Sequence, residues 1–359
     1  MNSKTLIVSA CLTISIFLGC STTQVAQPQP LAVPHAQAQP VREGQWKIRD
    51  TQLFVRDVGP ETAPVVVVVH GGPGGNHLSL RGLEVLAPRF RVVLYDQRGT
   101  GESDRFQVAS EKDLESLSLE QNIEDLEALR LRLGKDRITL VGHSWGAGLA
   151  VLYAAAYPEH VEKLVVYSGG PEDQPLSKQK SKAHFAMLTD EEKALAKERI
   201  AKLQESAESG APQEELDRLF FQVAEVMFPS LYCQRPTAAS AEQGRAGFWA
   251  SQGQNQYSRT FDRAAFAEKL KLVKAPALLT WGRCEPSPQE RLLYLLDNLP
   301  DAQFVIFEKS GHNAMEEEPA LFFDTLNAFL DGKPLPAKSF RSRAEVQSAE
   351  SATTEGATP

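Results

Sequence analysis

The sequence predicts an α/β fold with a mostly parallel central sheet and an inserted helical cap. Three observations support this prediction: short apolar runs that suit strands buried on both faces, helical patterns between those runs, and one long charged stretch without a convincing strand. With 359 residues, of which 42% are hydrophobic and 23% are charged, the chain is long enough for one such domain and its insertion. We therefore expect one folded unit that carries a subdomain.

The predicted sheet rests on six runs that are β-branched-rich or continuously apolar. These runs are residues 65–69, 91–95, 138–141, 164–167, 277–281 and 304–307. Between the second and third runs, apolar residues recur one helical face apart over 119–133, and Gly134 then ends the pattern. Parallel strands require a crossover helix of this kind, so the order of elements predicts βαβ units.

The alternation of strands and helices stops between residues 171 and 261, which we interpret as the helical cap because the strand pattern resumes afterwards. Both ends of the chain lack hydrophobic periodicity and have polar or Pro-rich compositions, which favour a flexible tether and a disordered tail. The predicted segments are a signal peptide at 1–19, a tether at 20–45, a core at 46–170 and 262–332, the cap at 171–261 and the tail at 333–359.

The N-terminus is typical of a secretory signal. Lys4 is the only charge before an apolar run over residues 6–18, which is too short to span a bilayer but has the length of a signal h-region. A buried hydrophobic helix is the alternative. The run ends Phe-Leu-Gly-Cys at 17–20 and resembles the lipobox of bacterial lipoprotein signal peptides, although Phe17 stands where Leu is usual. This resemblance implies a lipid on Cys20 and a place in the bacterial cell envelope, facing the periplasm, and Ser21 favours the outer membrane.

The net charge limits the kinds of molecule the protein can bind, and the cysteine content limits the possible disulfides. A net charge of -8 without a dense Lys/Arg stripe gives nucleic acid little to bind. Beyond the N-terminal segment only Cys233 and Cys284 remain. They could pair in an oxidising compartment, or they could be two separately buried thiols. We expect no metal or organic cofactor, and the oligomeric state stays open.

The strongest motif is Gly-His-Ser-Trp-Gly at 142–146, between the predicted strand 138–141 and an apolar helical run over 147–157. The pattern G-x-S-x-G in this context places a serine on a sharp turn from strand to helix. The flanking glycines permit the turn, and the helix N-terminus points its amides at the reaction centre. We predict that Ser144 is a nucleophile.

A serine hydroxyl needs a base within hydrogen-bond reach. His312 lies in Ser-Gly-His-Asn at 310–313, on the loop after the last predicted strand, and is our candidate. Four other histidines lack that context and are more simply surface or packing residues: His35, His143, His160 and His184.

The third member of such a site is an acid that orients the imidazole. Glu285 follows the predicted strand 277–281 and is the preferred candidate. Glu172 and Asp173, which follow the preceding strand, remain competitors, and a solvated loop carboxylate is the plain alternative for Glu285.

The run His-Gly-Gly-Pro-Gly-Gly at 70–75 follows the first predicted strand, and its glycines permit close backbone approach. We assign an oxyanion hole to the backbone N–H groups of Gly72 and Trp145. A phosphate-binding loop is disfavoured because the Lys-Ser/Thr of that motif is absent. Residues 96–103 are predicted to support the neighbouring loops.

Taken together, these residues resemble the prolyl aminopeptidases (proline iminopeptidases) within the α/β-hydrolases. The matching motifs appear in family order over residues 46–332: HGGPGG at 70–75, DQRGTGES at 96–103, GHSWGAGLA at 142–150, WGRCE at 281–285 and SGHN at 310–313. The resemblance implies an α/β-hydrolase fold and an acyl-enzyme mechanism that releases N-terminal residues from short peptides.

Two features depart from the family pattern. The family acid is usually Asp in G-R-x-D, whereas this chain has Glu285. Family peptidases also bind the substrate α-amine with cap carboxylates, for which Glu225 and Glu242 are tentative candidates, and a solvated helix face is the alternative for both.

Two rival functions stay open. A carboxylesterase acting on small esters would use the same triad with an apolar cap pocket, to which Phe220, Phe221, Phe228, Phe248 and Trp249 would be suited. A tethered binding protein on a hydrolase fold would need no complete set of catalytic groups.

Overall fold

The computed structural model describes residues 39–106, 108, 110–236 and 245–355. Nine strands form one sheet: β1 Val41–Ile48, β2 Thr51–Val58, β3 Val65–Val69, β4 Arg91–Tyr95, β5 Ile138–His143, β6 Val161–Tyr167, β7 Ala277–Gly282, β8 Ala302–Phe307 and β9 Ser339–Phe340. Their order across the sheet is β1-β2-β4-β3-β5-β6-β7-β8-β9. The six strands from β4 to β8 in this order pair in parallel, and β1, β2 and β9 are antiparallel. The predicted α/β fold with a mostly parallel sheet is therefore confirmed.

Burial on both faces explains why the central strands are continuous apolar runs. In β3, Val65, Val67 and Val69 pack into one hydrophobic cluster. Val66 and Val68 point to the opposite face and pack into a second cluster. Each such buried side chain contributes about 1.5 kcal/mol or more to folding, so a polar residue at any of the five positions would be costly.

Twelve α-helices are described: α1 Glu111–Glu115, α2 Leu119–Arg132, α3 Trp145–Ala156, α4 Gln174–Ala186, α5 Asp190–Glu208, α6 Gln213–Met227, α7 Phe248–Asn255, α8 Arg263–Leu270, α9 Glu290–Asn298, α10 Ala314–Glu317, α11 Pro319–Asp331 and α12 Arg343–Glu355. Short 3₁₀ helices cover His77–Leu86, Pro158–His160, Phe228–Leu231 and Gln256–Arg259. Among the residues described between β6 and β7 there are helices and no strand, which is the inserted helical cap.

The two faces of the sheet are covered by different helices. Leu126 of α2, Leu149 of α3 and Leu292 of α9 belong to the cluster on one face. Leu83 and Phe322, from the first 3₁₀ helix and α11, belong to the cluster on the other. This three-layer arrangement leaves the carboxyl ends of the parallel strands for loops.

The predicted tether boundary is wrong at its C-terminal end, because β1 begins at Val41. Side chains of β1 alternate between exposed and partly buried, and the strand lies at the edge of the sheet against β2 only. An edge strand with one polar face shows little apolar signal. Residues 1–38, which include the signal peptide and Cys20, lie outside the described residues.

The expectation of a disordered tail from residue 333 is also wrong for the part of the tail that is described. In β9, Phe340 pairs with Phe304 of β8, and Val346 of α12 is fully buried. Arg343 donates to Glu290 and Asp297 on α9. The segment has too few apolar residues for a visible period, and tertiary contacts supply its stability.

In the described part of the chain, every helix falls short of the length and apolar character that crossing a bilayer requires.

Candidate active site

Ser144 lies on a strained turn between β5 and α3, with φ 57° and ψ -122°. Residues other than glycine rarely adopt this backbone conformation. The backbone N–H of Ser144 donates to the carbonyl oxygen of Tyr167 at 2.8 Å. A Cβ on Gly146 would lie 2.3 Å from the carbonyl oxygens of Val69 and His70, so the turn packs tightly against the end of β3. The neighbouring strands therefore fix the elbow in place.

The glycine-rich loop after β3 lies against Ser144, the predicted nucleophile. A Cβ on Gly71 would lie 2.8 Å from the Cβ of Ser144. Gly72 follows in the same loop, and Trp145 is the first residue of α3. The two residues assigned to the oxyanion hole are therefore chain neighbours of Gly71 and Ser144, and the assignment itself stays a prediction.

His70 fixes the conformation of that loop. Its Nδ1 donates to the carbonyl oxygen of Gly71 at 2.9 Å, and its Nε2 accepts from the backbone N–H of Gln97 at 3.1 Å. A neutral ring with the proton on Nδ1 satisfies both bonds. Burial lowers the pKa of His70, which favours this neutral form.

Residues 96–103 have the supporting role predicted for them. Asp96 accepts from the backbone N–H groups of His77 at 2.7 Å and of Glu102 at 2.8 Å. Arg98 is fully buried and donates to both carboxylate oxygens of Asp125. These bonds tie the loop to the first 3₁₀ helix and to α2.

His312 and Glu285 are in direct contact. Nδ1 of His312 hydrogen bonds to Oε2 of Glu285, whose side chain is 0% exposed. Oε1 of Glu285 accepts from the backbone N–H of Ser287 at 3.2 Å. Burial raises the pKa of Glu285, but the charge of His312 and hydrogen bonding outweigh it and hold that pKa well below its ordinary value. Glu285 is therefore an anion at neutral pH.

His143 connects the elbow to the His312 loop. The rings of His143 and His312 have centroids 4.8 Å apart. Nε2 of His143 donates to the carbonyl oxygen of His312 at 3.1 Å. Burial, with the neighbouring His312, lowers the pKa of His143 to about 3, so this ring is neutral and carries its proton on Nε2. Because His143 directly precedes Ser144, this contact holds the predicted nucleophile and base on adjoining segments.

The two competing carboxylates have other partners. Glu172 forms an ion pair with Lys180 and lies 3.8 Å from Nη1 of Arg291. Asp173 caps α4 and accepts from the backbone N–H of Leu176 at 3.0 Å. Of the three candidate acids, Glu285 is the one that contacts His312.

The tentative amine-binding residues gain no support. Glu225 lies exposed on α6, and its Oε2 is 3.4 Å from Nη1 of Arg199 on α5. This placement is what a solvated helix face would show. Glu242 lies outside the described residues. Within the described ranges, groups of three or more His, Cys, Asp or Glu side chains that could hold a metal ion are absent.

A disulfide joins Cys233 in the cap to Cys284, the residue before Glu285, with Cα atoms 5.2 Å apart. Glu317 adds a second link, since it accepts from the backbone N–H groups of Cys233 at 2.7 Å and of Gly311 at 2.6 Å. Sequence reasoning left the cysteine pair open and missed Glu317. These loops are far apart in the chain, and local sequence does not show that they lie close together in space.

Comparison with known proteins agrees with the observed fold. The model of the alpha/beta hydrolase fold matches residues 64–319. A proline iminopeptidase from Heyndrickxia coagulans is 30% identical over 272 residues, which cover 74% of this chain and 90% of that protein.

Two solved structures show the same fold at low identity. The proline iminopeptidase of Mycobacterium smegmatis superposes with a TM-score of 0.58 at 19% identity, over 81% of this chain and 98% of that one. The naproxen esterase (carboxylesterase) of Bacillus subtilis superposes with a TM-score of 0.52 at 16% identity, over 81% of this chain and 92% of that one. At these identities the likeness is one of fold alone.

Proposed function

Because this chain belongs to the alpha/beta hydrolase fold family and resembles the prolyl aminopeptidases, we propose that it is a serine hydrolase that works through an acyl-enzyme. The observation that carries the proposal is the contact between His312 and the buried carboxylate of Glu285, on a loop joined to the Ser144 elbow through His143. A buried anion on Nδ1 orients an imidazole and stabilises its protonated form.

The proposed reaction has two steps. Ser144 Oγ attacks the substrate carbonyl while His312 takes its proton, and the oxyanion is stabilised by the N–H groups of Gly72 and Trp145. His312 then protonates the leaving amine or alcohol as the bond to the carbonyl carbon breaks. Water attacks the acyl-enzyme in the same way, the acid is released, and the Ser144 hydroxyl is restored. Glu285 remains ionised throughout.

For the substrate, we propose a short peptide or amide with an N-terminal proline. Support comes from the relative at 30% identity, which is described as a proline iminopeptidase. Glu225 pairs with Arg199, so we assign it no contact with the substrate α-amine.

One observation favours an ester substrate instead. The Cε1 atom of Phe220 would lie 3.2 Å from a Cβ on Gly74, so an aromatic ring of the cap faces the glycine-rich loop. Phe248 and Trp249 pack with Phe220 in a cap cluster. An apolar wall beside the reaction centre suits an acyl or alkyl group.

A substrate panel on the full chain tests these proposals. Hydrolysis of proline 2-naphthylamide well above that of p-nitrophenyl acetate is expected for the aminopeptidase, and the reverse order would favour the esterase. A fluorophosphonate probe, which reacts with activated serines, separates both from a binding protein. Failure of the wild-type chain to react would reject the serine-hydrolase proposal, and Ser144→Ala is the matched control.

We also propose that the protein is held in the bacterial cell envelope by a lipid on Cys20. Disulfides persist in oxidising compartments, so the Cys233–Cys284 bond supports a periplasmic location. Membrane attachment itself depends on the N-terminal sequence.

A further inference from the structure

The two carboxylate oxygens of Glu285 have different surroundings. Oε2 contacts His312, and Oε1 accepts from the backbone N–H of Ser287. Nε2 of a second histidine, His184, lies 3.8 Å from Oε1, which is too long for a hydrogen bond but close enough for an electrostatic contact. Glu285 therefore lies between two imidazoles, of which the mechanism above uses one.

His184 belongs to the cap and reaches the acid through Ser287. It lies near the C-terminal end of α4, with 17% of its side chain exposed. Its Nε2 is 2.6 Å from Oγ of Ser287, which is a strong hydrogen bond to a buried hydroxyl. Ser287 is flanked by Pro286 and Pro288, whose fixed φ angles stiffen this part of the loop.

A neutral His184 can help to orient Glu285 without competing with His312 for its negative charge. Burial lowers the pKa of His184 despite the nearby carboxylate of Glu285, and His312 and Lys180 act in the same direction as burial. The ring is therefore neutral at neutral pH. A cation at this position would draw the negative charge of Glu285 away from His312, whereas a neutral ring bound to Ser287 leaves that charge available to His312.

We propose that His184 is a positioning residue for the catalytic acid: it holds Ser287, and through Ser287 the Oε1 oxygen of Glu285, so that Oε2 stays directed at His312. This inference rests on the serine-hydrolase function proposed above. It also gives the cap a part in the chemistry. The residues on both sides of Glu285 are attached to the cap, Cys284 through the disulfide to Cys233 and Ser287 through His184.

The test is the rate at which a fluorophosphonate labels Ser144 in the full chain, since this reports the activated serine without requiring the substrate. His184→Phe keeps a ring but removes the hydrogen bond, and we expect labelling to slow about tenfold, as for loss of one ordering bond at a reaction centre. His184→Gln places an amide close to the position of Nε2 and should restore labelling to within about threefold of wild type. Because a residue needed only for cap packing would not be rescued by a flexible amide, the pair separates the two roles.

Ser287→Ala keeps the backbone N–H that binds Glu285 and removes only the hydroxyl, so it tests the same link if His184→Phe does not fold. We expect about tenfold slower labelling, with the double variant no slower than either single variant, because both changes break one interaction. His160→Gln is the matched control, a histidine beside Glu127 on another surface, and should label within about twofold of wild type.

Wild-type labelling rates in both His184→Phe and Ser287→Ala would overturn the inference, as would slowing that adds up in the double variant. These results differ from failure of the proposed function, in which the wild-type chain itself would not be labelled.

Discussion

The carbonyl oxygen of Leu231, in the cap, accepts a hydrogen bond from the backbone N–H of His312 at 2.7 Å. A Cβ on Gly311 would lie 2.1 Å from the same oxygen, so the cap backbone packs directly on the loop of the proposed base. Two residues further on, Cys233 is bonded to the loop of the proposed acid. One short cap segment therefore contacts both loops that must meet for His312 and Glu285 to pair.

Ser144 is expected to be the nucleophile, and its strained backbone makes two substitutions informative. Ser144→Ala and Ser144→Gly both remove the hydroxyl and should lower fluorophosphonate labelling by several orders of magnitude. Glycine adopts φ 57° without a Cβ clash, whereas alanine does not. We therefore expect the Gly variant to exceed the Ala variant by about 1 kcal/mol in free energy of unfolding.

Urea unfolding of Ser144→Ala and Ser144→Gly measures the difference in their free energy of unfolding. Fluorophosphonate labelling of each variant at matched concentration measures the loss of reactivity. Equal stability of the two variants would show that the turn is not strained. Near-normal labelling of either would remove Ser144 from the mechanism.

The disulfide is expected to stabilise the fold and the acid loop together. It closes a loop with a sequence separation of 51 residues, for which the chain-entropy relation gives about 4 kcal/mol. Cys233→Ala/Cys284→Ala should lose about this much free energy of unfolding and should be labelled more slowly, because Cys284 precedes Glu285. Dithiothreitol should lower the stability of wild type towards that of the variant and leave the variant unchanged. A wild-type protein insensitive to reduction would contradict this expectation.

The fold of the central sheet could be predicted because burial on both faces leaves a direct mark in the sequence. The valines of β3 show it in full, as every position faces a core. β1, β2 and β9 could not be found in the same way. β1 and β9 lie at the edges of the sheet, where one neighbour and a polar face are enough, so pairing rather than composition defines them. In β2, buried positions alternate with less buried ones, so this strand has no continuous apolar run.

In the candidate site, too, the sequence could indicate some residues and not others. Ser144, His312 and Glu285 could be singled out from the sequence because each follows closely after the end of a strand, and their catalytic roles stay predictions. His184 carried no such signal, since it is one residue in a charged cap helix and its partner Ser287 is 103 positions away. Contacts of this kind depend on how the cap packs on the core, which local sequence does not specify.

Lipidation of Cys20 should be detectable by growth with labelled palmitate. The resemblance to a lipobox predicts that the full chain incorporates the label and sediments with membranes, whereas Cys20→Ala does neither. Cys11→Ala is a matched control, because Cys11 lies in the segment expected to be removed and its loss should leave labelling intact. An unlabelled mature protein with Cys20 present would reject the anchor.

Asp57 should make folding stability depend on pH. Its side chain is fully buried and accepts from Arg42 at 2.8 and 3.0 Å and from Arg91 at 2.7 Å. Burial raises the pKa of Asp57, but the hydrogen bonds from Arg91 and Arg42 outweigh it, and the pKa lies below its ordinary value of 3.8. A carboxyl whose pKa falls on folding stabilises the native state above its unfolded pKa, and this contribution disappears as pH drops through the folded value.

Asp57→Asn should therefore cost about 3 kcal/mol in free energy of unfolding at pH 7, because it leaves two arginines without their anion. The difference in free energy of unfolding between wild type and Asp57→Asn, here called the gap, should narrow as pH falls below 3.8. Urea unfolding between pH 7 and about pH 3 measures the gap, with Asp136→Asn on the exposed surface as the control that should change little at any pH. A gap that stays constant across this range would mean that the charge of Asp57 contributes nothing to the stability of the fold.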